Sequence, residues 1–163
     1  MNIKDLIESV IGEAVKQLKA QYGIQPIKTN ILILPAQIND AKLKVVNLKQ
    51  SLKNAKDLLD SAKDNLKSAE AMLMMEIAEE KDESGKAKFS NDAKRNAELA
   101  RRCKSDPDCL QAHEALKQAQ KQYDDIQFEI DKAQVDVERL QDEYTAHLKT
   151  ADLVVAELTA LTR

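Results

Sequence analysis

Residues 109–161 read CLQAHEALKQAQKQYDDIQFEIDKAQVDVERLQDEYTAHLKTADLVVAELTAL. Within them Cys109, Ala112, Leu116, Ala119, Tyr123, Ile126, Ile130, Ala133, Val137, Leu140, Tyr144, His147, Ala151, Val154, Leu158 and Leu161 recur at alternating spacings of three and four. That repeat lines one face of an α-helix and forms the seam of a coiled coil. Asp106 and Pro107 just upstream offer a side-chain N-cap and a proline pre-set for the first helical position. A helix over 107–162 is therefore predicted.

Working towards the N-terminus, a second seam runs through Ile38, Ala41, Val45, Leu48, Leu52, Ala55, Leu59, Ala62, Leu66, Ala69 and Leu73. Ile77 follows four residues after Leu73, where three would keep the phase, so the repeat stutters there. Pro35 suits a first helical position, and the long helix is expected over 36–83. Residues 84–90, SGKAKFS, form a turn in which Gly85 can take positive φ. A short helix over 91–104 is expected next, with Ser90 as its N-cap and Phe89 packing at its start. At the N-terminus Ile3, Leu6, Ile7, Val10, Ile11, Ala14, Leu18 and Tyr22 make a broad helical stripe over 2–22, which Gly23 can close. Residues 23–35 read as a connector in which Pro26 prevents continuation of the first helix. Its Ile31–Leu34 stretch either extends as a strand or, the favoured reading, packs over the helices.

Two long seams joined by a turn predict an antiparallel hairpin. Residues 41–56 carry five lysines and no acid, whereas 105–163 carry six bases and thirteen acids. With residues 83 and 91 flanking the turn, 41–56 face 118–133, and charge supports the pairing. That register leaves 137–162 for the first helix to cover. It treats the SDPD stretch, 105–108, as a kink that the returning arm passes through, which lets both seams be buried; a full reversal there is the alternative. The fold expected is all-α, an elongated antiparallel coiled-coil hairpin with an additional N-terminal helix, in a single domain over 1–163.

The chain has 163 residues, of which 33% are charged and 3% aromatic, with three Gly and three Pro. So few turn-forming and aromatic residues exclude an ordinary sheet protein. No apolar run approaches the ~18 residues of a membrane span. The amphipathic N-terminus lacks the continuous apolar stretch of a signal peptide. The expectation is a cytoplasmic protein with no membrane partner. Two cysteines make no disulfide framework, and in a reducing compartment Cys103 and Cys109 read as free structural thiols, with a disulfide across the SDPD break as the alternative. Cys103, Cys109 and His113 lack a clear fourth ligand, so no metal is assigned. His147 stands at a seam position and reads as a packed, register-setting residue. No P-loop, GxSxG or HExxH occurs, and the carboxylates lie on helix flanks. No catalytic residue and no cofactor are therefore expected.

Two features suggest partners. Residues 86–104 hold Lys86, Lys88, Lys94, Arg95, Arg101, Arg102 and Lys104 against only Asp92 and Glu98. With Phe89 as a stacking ring, this cluster is a candidate for binding single-stranded nucleic acid. Met72, Leu73, Met74 and Met75 surround their helix, and a helix that is apolar all round makes contacts on several faces. Met72, Met74 and Met75 are therefore candidate oligomer contacts, and the Ala-rich seams, which bury little area, also favour a homo-oligomer.

The stretch Asp82-Glu83-Ser84-Gly85-Lys86-Ala87-Lys88-Phe89-Ser90-Asn91, followed by Arg95 and Glu98, resembles the tip motif D-x-x-G-K-x-K-[FY]-S-N of small helical-hairpin proteins common in phages and prophages. The resemblance implies phage or mobile-element ancestry. Phage recombination mediator proteins, which bind single-stranded DNA as oligomers, offer a looser similarity in shape and charge. The leading expectation is a non-enzymatic coiled-coil scaffold or adaptor that self-associates. The alternative is an accessory factor for DNA recombination or replication, acting through the basic tip.

Overall fold

The structure, a computed structural model, describes residues 2–161. The expected seam side chain of Leu161 and the expected helix end at 162 lie outside what it describes. Four helices cover 89% of the described residues: α1 Ile3–Tyr22, α2 Ile24–Glu79, α3 Asp92–Arg102 and α4 Pro107–Leu161. The fold is all-α, and among the described residues the only β pairing is one isolated antiparallel bridge, Lys81 to Ala87. The chain forms two compact units. One joins the residues up to Val46 with those from Asp131 onward, and the other spans Asn47–Ile130.

In the unit made of the two chain ends, α1 starts with a reciprocal cap. The Asn2 side chain accepts the Lys4 N–H at 3.3 Å, and Asp5 accepts the Asn2 N–H at 3.2 Å. Gly23 ends the helix in the left-handed region, φ 56 and ψ 50, donating its N–H to the Lys19 carbonyl. Helix α2 then begins at once, which corrects the expected connector over 23–35. Pro26 stands in its first turn, where an amide N–H has no intrahelical acceptor to lose. Pro35 lies inside the helix with its ring exposed. The cost of that proline is offset because Ile24, Ile27, Ile31 and Leu34 continue the phase of the Ile38 seam. Ile27 and Leu34 are buried.

Two hydrogen bonds fix direction in this unit. Tyr22 Oη donates to Glu157 Oε1 at 2.8 Å, and Asn30 Nδ2 meets His147 Nε2 at 2.9 Å. Between them the chain advances from Tyr22 to Asn30 on one side and retreats from Glu157 to His147 on the other. Further on, Lys42 and Val45 of α2 stand beside Val137 and Gln141 of α4, so α2 runs antiparallel to α4. The stretch assigned to the first helix alone is thus also covered by α2, which starts earlier than expected. His147 is half-buried and paired within the seam, as a register-setting residue would be.

In the Asn47–Ile130 unit, every expected seam position from Leu48 to Leu73 is buried or half-buried, and Ile77 at the stutter is fully buried. Ala55, Leu59 and Ala62 of α2 and Cys109, Ala112 and Ile130 of α4 form much of this core. Helix α3 starts at Asn91, whose side chain accepts the Lys94 N–H at 2.9 Å, and not at Ser90. Asp106 caps α4 as expected, accepting the Cys109 N–H at 2.9 Å. The SDPD stretch is a reversal and not the favoured kink. Asn96, Leu99 and Ala100 from before it line one cavity with Leu110 and His113 from after it. Consequently the connection between the long helices is all of 80–106, not 84–90 alone, and the expected register is displaced. Cys103 and Cys109 are joined by a disulfide, with Cα atoms 5.2 Å apart, which corrects their reading as free thiols.

A helix-interior proline costs up to about 3 kcal/mol. Pro35→Ala should therefore raise the melting temperature measured by circular dichroism, with a gain of about 1–3 kcal/mol. A neutral or destabilising result would match a helix that starts at Pro35 instead.

Candidate functional site

The connection 80–106 carries most of the chemistry that the sequence singles out. Its first part is a tight turn. Asp82 donates its N–H to the Lys86 carbonyl at 2.8 Å, while Asp82 Oδ1 accepts the Ser84 N–H, the Ser84 hydroxyl and the Lys86 N–H at 2.9, 2.7 and 3.0 Å. Three donors on one oxygen favour the charged form, so the Asp82 carboxyl titrates below its ordinary value, chiefly through Ser84. Gly85 closes the turn at φ 80, as expected.

The basic cluster is then drawn into ion pairs. Arg101 and Arg102 both hold Glu98, at 2.7 and 2.8 Å, and Arg102 also holds Glu80. Lys88 reaches Glu80 at 3.2 Å and lies 5.5 Å from the centre of the Phe89 ring. Arg95 pairs with Asp92 at 2.7 Å. The hydrogen bonds from Arg101 and then Arg102 pull the Glu98 carboxyl down from 4.5 to about 2. Arg102 and Lys88 likewise lower that of Glu80. The structure thus brings Lys88, Arg101 and Arg102 into one network that fastens α3 to the end of α2. Lys86, Lys94 and Lys104 make no ion pair among the described residues. They stand in the turn, in the first turn of α3 and after its last turn. Phe89 is half-buried.

Beneath this network Leu73, Cys103 and Cys109 form a buried cluster with Ala69 and Leu99 packed on it. Beside it opens a cavity of about 420 Å³ lined by Glu70, Asn96, Leu99, Cys103, Lys104 and His113 among others. The donor atoms of Glu70, Cys103 and His113 lie within 4.8 Å of one another. The participation of Glu70 is not visible in the sequence, because its proximity to His113 comes only from the packing of α2 against α4. The pairing of Glu98, first counted only against the basic cluster, has a signal in the sequence: it precedes Arg101 and Arg102 by three and four residues.

In the other unit, an apolar groove of about 460 Å³ is walled by Ile24, Ile27, Ile31 and Leu32 of α2 and by Val154, Val155 and Leu158 of α4. Of the Met group, Met72 and Met75 are exposed and Met74 is half-buried. Among the described residues no helix is long and apolar enough to cross a membrane. Comparison of the chain with protein-family models, with curated proteins and with solved structures finds no match. The phage-hairpin resemblance therefore rests on the tip residues alone.

A carboxyl whose folded value is depressed stabilises the fold above its ordinary value, and that stabilisation is lost as pH falls towards the folded value. For Glu98 the window runs from about pH 4.5 down to about 2. Glu98→Gln should lower the melting temperature at neutral pH. Its difference from the wild type should narrow across that window, as followed by thermal melts at stepped pH.

Proposed function

We propose that this protein is a non-catalytic helical scaffold that works by self-association, and that α1 is the contact between copies. The observation that carries this is the uncovered apolar stripe on the first half of α1. Ile3, Leu6, Ile7 and Val10 are 75%, 48%, 53% and 62% exposed. Four large aliphatic side chains on one face of a capped helix are a costly surface for a free chain, at roughly 1.5–3 kcal/mol for each side chain that could be buried.

The occupant that suits this stripe is α1 of a second copy, laid antiparallel. A two-fold contact buries the same patch on both partners and closes on itself. The charges of α1 are mixed, Lys4, Asp5 and Glu8 in the first half and Glu13, Lys16 and Lys19 in the second, and Lys4 pairs with Glu8 and Lys16 with Glu13 within the helix, so the two-fold symmetry of the contact and not charge sets the direction. The exposed Met72 and Met75 offer a second, smaller apolar contact on α2. The basic tip supports a nucleic-acid role less well, since four of its seven cations already face a carboxylate.

Ile7→Asp with Val10→Asp should convert the oligomer to a monomer in sedimentation velocity, with helicity unchanged because neither side chain supports its own chain. Losing about 3 kcal/mol or more from the pair corresponds to at least roughly a hundredfold rise in Kd. A wild-type protein that sediments as a monomer at the highest attainable concentration refutes the proposal. So does a double variant that associates as tightly as the wild type.

A further inference from the structure

We propose that the Cys103–Cys109 turn is a redox-gated zinc site, in which reduction of the disulfide frees two thiolates to bind Zn²⁺ together with His113 and Glu70. The donors converge from three elements: α2 supplies Glu70, the end of α3 supplies Cys103, and the first turns of α4 supply Cys109 and His113. The four-residue interval from Cys109 to His113 puts both on one helix face. The donor atoms of Glu70, Cys103 and His113 already lie within 4.8 Å of one another, and the Cys109 sulfur is bonded to that of Cys103.

Zinc binds thiolate sulfur at about 2.3 Å and nitrogen or oxygen at about 2.0–2.2 Å, so two ligands of one tetrahedral ion stand about 3.5 Å apart. Rotamer adjustments of about an ångström bring the carboxylate and imidazole to that spacing. Reduction lets the two sulfurs part to it. Two thiolates, an imidazole and a carboxylate are a donor set for zinc and not for magnesium or calcium, which take oxygen ligands. In the oxidised turn the sulfurs carry no charge, and only Glu70 and His113 remain as ligands.

Charge and shielding fit as well. Three anionic ligands around a divalent ion leave one negative charge, and Lys104 lines the same cavity. Cys109 is fully buried and packs with Leu73 and Leu99, so one side of the site is dry. The electron balance is that of thiol–disulfide exchange. A dithiol reductant gives two electrons and two protons to the Cys103–Cys109 bond and becomes a disulfide itself. Zinc then displaces the two thiol protons. Either covalently or through the metal, α3 stays fastened to α4, so the fold survives the change of state while the affinity for zinc switches.

The test uses the full chain, reduced with a phosphine or left oxidised, with zinc chloride alone as the probe. Metal content is measured after gel filtration, affinity by competition with a chelating dye, and geometry from the spectrum with cobalt(II) in place of zinc. The reduced wild type should retain one zinc per chain and show a thiolate-to-cobalt charge-transfer band with tetrahedral ligand-field intensity. The oxidised protein should retain none. Glu70→Gln and His113→Ala should each weaken binding by at least about 10- to 100-fold, the range lost when even an outer partner of a zinc ligand is removed. Far-UV helicity should be unchanged in both. The proposal is overturned if the reduced protein holds no stoichiometric zinc, if the oxidised protein binds equally well, or if either variant binds as tightly as the wild type.

Discussion

Everything in this chain depends on burying a narrow stripe, one residue every three or four, along two very long helices. The stripe is thin because so many of its members are alanine. Ala55, Ala62, Ala112 and Ala133 are buried, yet each removes little apolar area from water. No polar or charged residue is buried among the described residues. One polar contact across the seam is that of Asn30 with His147, both half-buried. A repeat this uniform would tolerate sliding by a heptad, since each layer looks much like the next. A half-buried polar pair cannot slide without losing its partner, so Asn30 and His147 give the seam a register that the apolar residues alone do not specify.

The other device against sliding is the connection 80–106. A simple turn would let two long helices shift past each other. Here α3 is folded back and held in three ways. Glu98 and Glu80 clamp Arg102, the disulfide joins the α3 end to the first turn of α4, and Leu99 packs on the cluster of Leu73, Cys103 and Cys109. Each contact is modest. Ion pairs with this much exposure contribute little singly, and a disulfide across so short a loop removes little chain entropy. Together they fix one position along α2, because Leu73 within the helix and Glu80 just past its end are seven residues apart and each meets a different part of α3 or its end.

Most of this fold was legible because periodicity is a direct record of which face is buried. Each seam position whose side chain is described is sheltered, from Ile38 to Leu73 and from Cys109 to Leu158. The structure departs from the expected elements where a local signal competes with that periodicity. Pro26 and Pro35 suggested a connector, although Ile24, Ile27, Ile31 and Leu34 keep the 3–4 phase straight through it; an exposed proline is a local cost that a long seam can carry. Ser90 and Asn91 are both competent caps, and nothing local separates them. Whether SDPD bends or reverses is decided by whether α3 finds a surface on α2, which is tertiary information. The same holds for Glu70: no spacing within the chain announces that a carboxylate on α2 will stand beside Cys103 and His113.

Long helices concentrate their unresolved chemistry at their ends. Along the middle of α2 and α4 the seam side chains are sheltered, while Leu43, Val46, Leu58, Phe128 and Val135 off the seam stay exposed. At an end, four donors or acceptors lack intrahelical partners, and the stripe runs on with nothing to cover it. This chain answers the problem differently at its two kinds of end. Where α2 stops and α4 starts, the Asp106 cap, the ion pairs of Glu80 and Glu98 and the Cys103–Cys109 bond tie the elements together within the chain. At the start of α1 only the backbone is satisfied, by the Asn2 and Asp5 cap, while Ile3, Leu6, Ile7 and Val10 stay in water. A capped but uncovered helix is already ordered, so a partner that lies against it need not supply the entropy of folding it. The free energy from burying the stripe is then opposed by the loss of translational and rotational freedom and by side-chain ordering, but not by the cost of forming the helix.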